Sequence, residues 1–300
     1  MKTVNTISGG RSSATNAILF PADYNVFSLV HIGRPKQDDR FNCLWMNGKD
    51  ESTRQLISDR IGFDFYGTAE DDVIIYTILK LEQKLGRKID IITGKSFDSV
   101  IRSSGGCLPD PLRRFCTEEM KVKPMFEYWK RNINEPALFR FGFRKEEERR
   151  AENMLKKCNI NGILEIKTVI GKSKNGHRFK WGIVEWQKPD FKLIENNITR
   201  DYVYEFTDKL NIPFADYNNC ANCFHRNPLL IASQARKHEN IKEVIKWAGT
   251  KERVKHQKDV WFKDKKLDMN TILNFSEQKS ILDELETNDF SSCDSGYCGL

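Results

Sequence analysis

Ser8-Gly9-Gly10-Arg11-Ser12-Ser13 stands between an apolar run, Thr3 to Ile7, and an apolar-faced segment carrying Ala14, Ala17, Ile18 and Leu19. Glycine reaches positive φ without a Cβ penalty, and the first turn of a helix leaves its N–H groups unpaired. A strand, a Gly-Gly turn and a helix in that order therefore make a cradle for an anion. Ser8, Ser12 and Ser13 add hydroxyl donors and Arg11 adds a fixed positive charge, so phosphate is the anion expected. The spacing is neither that of a Walker loop nor that of a dinucleotide fingerprint. Taken alone, the segment also reads as an ordinary strand-to-helix turn.

Cysteine spacing is the second signal. Of eight cysteines, Cys220 and Cys223 form a Cys-x-x-Cys, and Cys107 and Cys116 lie nine positions apart in a Gly/Pro-rich stretch. Cys293 and Cys298 fall among the last eight residues, while Cys43 and Cys158 read as small buried side chains. If Cys107 and Cys116 approach Cys220 and Cys223, four thiolates become available to zinc or to an iron–sulfur cluster, and soft sulfur ligands alone do not separate those metals. A redox dithiol is the weaker reading, because no thioredoxin-like strand–helix context surrounds the pair. In Arg113-Arg114-Phe115-Cys116-Thr117-Glu118-Glu119-Met120-Lys121, Thr117 suits a helix start and places Lys121 about one turn on from Cys116. In Phe141-Gly142-Phe143-Arg144, a strand ends on an arginine suited to phosphate, with Arg149 and Arg150 behind it. Lys145 to Glu148 read as ion pairs on a solvated helix.

These segments resemble, in the same order along the chain, the motifs of the phosphoadenosine phosphosulfate (PAPS) reductase-like family of the adenine nucleotide α-hydrolase, or ATP-pyrophosphatase, superfamily. The first is similar to the Ser-Gly-Gly-x-Asp-Ser loop, with Ser12 in place of Asp. Residues 113–124 are similar to Arg-x-Cys-Thr-x-x-x-Lys-x-x-Pro, residues 141–150 to the Gly-x-Arg block with Glu146 replacing Asp, and Asn219 to Phe224 to Asn-Cys-x-x-Cys-Phe. Asn47 to Glu51 is a less close match to an Asn-Thr-Gly-x-Glu loop.

The resemblance implies an adenine nucleotide (ATP with Mg2+, or PAPS or its unphosphorylated form APS) held by Ser8, Gly9, Gly10, Arg11, Ser12 and Ser13, with Lys121 and Arg144 neutralising developing charge. It leans toward a 4Fe–4S cluster, with zinc as the alternative, on Cys107, Cys116, Cys220 and Cys223, since adenylylsulfate reductases and DNA-phosphorothioation proteins carry such clusters. The intact glycine pair favours an ATP pyrophosphatase that adenylates a substrate for sulfur transfer, with nucleic acid as one candidate substrate. Cys298-Gly299-Leu300 resembles the tail of sulfonucleotide reductases, whose cysteine attacks sulfur and is regenerated by a thiol reductant, so Cys298 is the catalytic candidate of that second reading. A metal-stabilised, non-catalytic nucleotide-binding module is the third.

Three hundred residues, 39% of them hydrophobic, are enough for a large α/β domain with an appendage. No signal-peptide pattern and no apolar run of membrane-spanning length is present, so a cytoplasmic protein without membrane contact is expected. The net charge of +7 is uneven: Arg236 to Lys266 holds eleven Lys or Arg against five acids, with Trp247 and Trp261 interleaved. That stretch suits a solvated helical face better than a nucleic-acid surface, though both readings stand. After Leu267 the chain turns acidic and reads as a tail. Association into a homo-oligomer is left open.

The elements that must position these residues alternate between strand and helix, the pattern of a mostly parallel sheet with helices on both faces. Strands are expected at 3–7, 26–31, 89–93 and 137–143, helices at 71–85, 97–102, 117–131, 146–156 and 199–210, and an edge hairpin at 163–186 turning on Asn175-Gly176. The division expected is a nucleotide-binding domain over 1–215 and a cysteine-bearing helical part over 216–300. Loops at the carboxyl ends of the parallel strands should bring the motifs together.

Overall fold

A computed structural model describes residues 1–33, 50–110, 113–172, 178–255, 258–263 and 266–276. Cys43, Asn47 to Lys49, the Asn175-Gly176 turn, Cys293 and Cys298 lie outside the described residues. In chain order the elements are β1 (Thr3–Ile7), α1 (Arg11–Leu19), β2 (Tyr24–Leu29), α2 (Glu51–Ile61), α3 (Val73–Leu85), β3 (Asp90–Thr93), α4 (Phe97–Ser103) and α5 (Phe115–Thr117). A π-helical turn (Glu118–Val122) leads into α6 (Lys123–Asn132) and β4 (Ala137–Arg140), and a 3-10 turn (Lys145–Glu147) leads into α7 (Glu148–Leu155). β5 (Leu164–Lys172), β6 (Phe179–Asp190), α8 (Lys192–Glu195), α9 (Arg200–Asp208), α10 (Pro228–Lys237), α11 (Glu239–Gly249), β7 (Arg253–Lys255), β8 (Lys258–Val260) and α12 (Met269–Ser276) complete the described chain.

Six strands form one sheet in the order β3-β2-β1-β4-β6-β5, parallel except for β5, which runs antiparallel to β6. Parallel strands are covered on both faces, and the apolar residues here divide accordingly. Val4, Val26 and Phe139 pack with Phe126, Trp129 and Trp186, while Ile7, Phe27 and Leu29 pack with Ala14, Ala17, Ile74, Ile78 and Leu81. Neighbouring residues of one strand, such as Val26 and Phe27, thus enter different cores. The residues after 216 share the second of these cores, through Ile231, Ala235, Ile241 and Trp247.

The chain steps outward from β1 to β2 and β3, then crosses back to β4 on the other side of β1. The strand order therefore reverses between β1 and β4, and the crevice at their carboxyl ends is where an open α/β sheet holds ligands.

The expected hairpin does lie at an edge of the sheet, and β6 attaches it: β6 is 12 residues long, and its last four, Gln187 to Asp190, pair in parallel with Ala137 to Arg140 of β4. Two expectations are corrected. β4 stops at Arg140 because Gly142 must pass beneath the start of α1; a Cβ there would lie 2.9 Å from the Ser13 nitrogen. The segment after Leu267 is not wholly a tail, since Met269 and Ile272 of α12 are fully buried at helical spacing.

Candidate functional site

The loop after β1 is ordered by its own serines. Ser13 Oγ accepts from the Ser8 amide at 3.1 Å and donates to the Gly10 carbonyl at 2.9 Å, tying both ends of the turn to the first turn of α1. Gly9 sits at φ +78°, and a Cβ on it would lie 2.5 Å from Ile74 Cγ2, so both conformation and space demand glycine. Gly10 occupies the N-cap without a side-chain cap, and no acid stands in the first turn of α1. The positive end of the helix is therefore uncompensated. Ser12 is 1% exposed and its Oγ has no hydrogen-bond partner, a buried hydroxyl at the mouth of this helix. A phosphate oxygen would satisfy it.

Arg11 does not lend its charge to this loop. Its Nη1 donates to Thr207 Oγ1 and to Asp208 Oδ1, each at 2.6 Å, and its guanidinium lies over the rings of Tyr204 and Phe214. It clamps α1 to α9. Arg144, by contrast, follows β4 on the far side of the crevice, is 4% exposed, and contacts Glu147 Oε2 through Nε at 3.3 Å. Glu147 also holds Arg150, which lies over Phe143, so Arg144 and Arg150 share one carboxylate.

The π-helical turn rests on the end of β3. A Cβ on Gly94 would come within 2.2 Å of the Glu119 carbonyl oxygen. That close approach presents Cys116 and Lys121 toward the loop that carries Cys220 and Cys223. A cavity of about 50 Å³ is lined by Cys116, Cys220 and Cys223 together with Lys121, Asn219 and His225. Burial, and the nearby Cys223 as a lesser cause, push the Cys116 thiol up; burial, then Glu70, push Cys220 well up. The Lys121 ammonium is 2.9 Å from Glu70 Oε1, and although burial pulls its pKa down, Glu70 and the neighbouring thiols carry it above the ordinary lysine value.

Cys107 is not among the residues that line this cavity, and lies instead beside Arg113. Soft sulfur donors suit a thiophilic metal, but among the described residues no group of three or more His, Cys, Asp or Glu side chains is placed to hold an ion. The thiols as arranged do not make a closed coordination site.

One short segment joins the two halves of the candidate site. Glu70 pairs with Lys121 at the thiol cavity, Ala69 accepts a hydrogen bond from the Ala221 amide at 2.8 Å, and Ile74 fills the space against Gly9. Between them Asp72 accepts from Asn240 Nδ2 at 2.5 Å, and burial together with Asp71 pushes its pKa up to about 7. Sequence reasoning singled out none of Glu70 to Asp72, whose acidic run carries no spacing relation to Lys121; proximity in the fold alone reveals them.

Part of the basic stretch is engaged internally. Trp247 is 4% exposed and packs edge-on against Phe97, Lys251 pairs with Asp98 at 2.9 Å, and Lys263 donates to the carbonyls of Phe224 and Arg226. Among the described residues, no helix is long and apolar enough to cross a membrane. No family model, curated protein or solved structure matches the chain.

Proposed function

We propose that this chain is a PAPS reductase-like nucleotide-binding enzyme with an adenine nucleotide α-hydrolase fold, which takes ATP on the Ser8–Ser13 loop and cleaves it at the α-phosphate to adenylate a substrate for sulfur transfer. One observation carries the reading. The uncapped start of α1, with the buried Ser12 hydroxyl lacking a partner, sits where the strand order reverses between β1 and β4. A phosphate there meets backbone donors and hydroxyls already in place, so little reorganisation is needed as charge develops. Arg144, buried across the crevice, supplies fixed positive charge from the β4 side. In this reading Lys121, held by Glu70, keeps a proton beside the thiols and orients the sulfur-bearing partner.

The test is incubation of anaerobically purified protein with magnesium ATP or with PAPS. AMP and pyrophosphate support adenylation, and sulfite from PAPS would replace it by sulfonucleotide reduction. Nucleotide binding without either product would replace both by a binding module.

A further inference from the structure

Next to the thiol pocket lies a second cavity of about 700 Å³. Arg114 and Thr117 line both. Its walls are Phe115, Val122, Leu164, Ile166 and Trp186, and Gln187 lines it as well. Gln187 is 0% exposed, and neither its amide nitrogen nor its amide oxygen has a hydrogen-bond partner. Leaving both ends of a buried amide unsatisfied is unfavourable, and a ligand with a donor next to an acceptor offsets that.

The backbone is built to place this amide. Leu164 pairs with Gln187 and Glu165 with Glu185, so Trp186 has no residue opposite it, and the resulting bulge re-aims the side chains of β6 at the point where it joins β4. Trp186 is itself pinned by Phe126, Trp129 and Phe139, which makes the wall rigid. Apolar walls around a buried amide, with Arg113, Arg114 and Lys157 outnumbering Glu118 and Glu165 in the lining, suit a nucleobase: the amide reads the donor–acceptor edge and the walls take the ring faces.

The same hairpin shows what carries that base. Beyond the cavity β6 exposes Phe179, Trp181 and Ile183 at 63%, 58% and 68%, alternate residues that share one face. Lys172 and Lys167 pair opposite Phe179 and Ile183. Exposed aromatics interleaved with lysines are a platform on which successive bases stack while the phosphates are neutralised. We infer that the cavity around Gln187 accepts one base of a single-stranded nucleic acid whose neighbouring nucleotides lie along the β5–β6 arm. This site is separate from the glycine loop and does not depend on what that loop binds.

The experiment measures binding of fluorescent single-stranded DNA homopolymers to the full chain by anisotropy, with adenosine monophosphate as the monomer control. The wild-type protein should prefer one base. Gln187→Leu should remove that preference, about tenfold in affinity, while folding at least as stably because it deletes an unsatisfied amide. Ile166→Trp, which fills the cavity without touching the amide, should remove it too. Trp181→Ala should weaken every strand alike, about fivefold or more. Equal affinity for all homopolymers in the wild type, or a preference that survives both cavity variants, overturns the inference. So does adenosine monophosphate binding as tightly as the strand in a Gln187-dependent way, which would make the cavity a free-nucleotide site. ATP binding is read separately with Gly9→Val, so a failure of the glycine-loop reading leaves these outcomes distinct.

Discussion

Lys121 Nζ lies 2.9 Å from Glu70 Oε1, with 15% and 2% of the two side chains exposed, at a distance of fifty-one residues along the chain. A buried pair of this kind is costly to break from one side, because the surviving charge has neither water nor a partner. Glu70→Gln should therefore destabilise the protein by about 3–5 kcal/mol, and Lys121→Met by a similar amount. The double variant Glu70→Gln with Lys121→Met should recover most of the loss. Denaturant midpoints of the three variants check this. If Lys121 also serves the chemistry, the double variant regains stability and stays inactive, which separates the two roles.

The part of the site written within one stretch of chain was legible. A strand, two glycines and serines before an apolar helix predict both the turn and its positive φ, since local sterics decide them. The coming together of Cys116 with Cys220 and Cys223 was legible only through a resemblance of motifs, because no local rule links residues a hundred positions apart. Two features escaped for physical reasons. α2, which begins with Asp50 accepting from the Thr53 amide and ends at Gly62 in the left-handed region, carries ordinary capping signals, which the likeness of Asn47 to Glu51 to a family loop obscures. Arg11, placed by type and position at the phosphate, is drawn away by Asp208 and two aromatic rings contributed by later segments.

Gly142 tests the glycine loop from behind. Its Cα faces the first turn of α1, so Gly142→Ala places a methyl group 2.9 Å from the Ser13 nitrogen and 3.0 Å from the Ser12 carbonyl carbon. Both neighbours are backbone and have no rotamer to yield. The expected outcome is a shifted helix start, with nucleotide affinity reduced about tenfold and stability by about 1–3 kcal/mol. Calorimetric titration of ATP, beside the thermal midpoint, checks it, and unchanged affinity would place the nucleotide elsewhere.

Asp72 gives the fold a pH dependence whose sign follows from its surroundings. Burial and Asp71 raise its pKa from 3.8 to about 7, so the folded state keeps a proton that the unfolded state releases. The penalty is absent below the unfolded value, grows as pH rises between 3.8 and 7, and is complete above it. Asp72→Asn preserves an acceptor for Asn240 and removes the charge. It should stabilise the protein at pH 8 by about 1–2 kcal/mol, reduced from the full shift by partial solvent screening, and should do little at pH 5. Urea unfolding at the two pH values checks this; equal effects at both would assign the gain to packing instead.

The thiols discriminate between a metal-free cavity and a loaded one. Burial pushes Cys116 and Cys220 above the ordinary thiol value, so in the arrangement described both are protonated and poorly nucleophilic at pH 7. Alkylation of the native protein by iodoacetamide, followed residue by residue by mass spectrometry, should be slow at both positions near neutrality. It should accelerate as the pH is raised past the ordinary thiol range, while a denatured sample reacts throughout. A coordinated thiolate behaves differently: it is already deprotonated, it is shielded at every pH, and its protection collapses when a chelator strips the metal. Protection that depends on pH and is indifferent to chelator follows from the geometry described, with three thiols around about 50 Å³ and no closed donor set. Protection lost on chelation, with iron or zinc released in step, would show that the cavity rearranges around a metal, with the fourth ligand supplied from elsewhere.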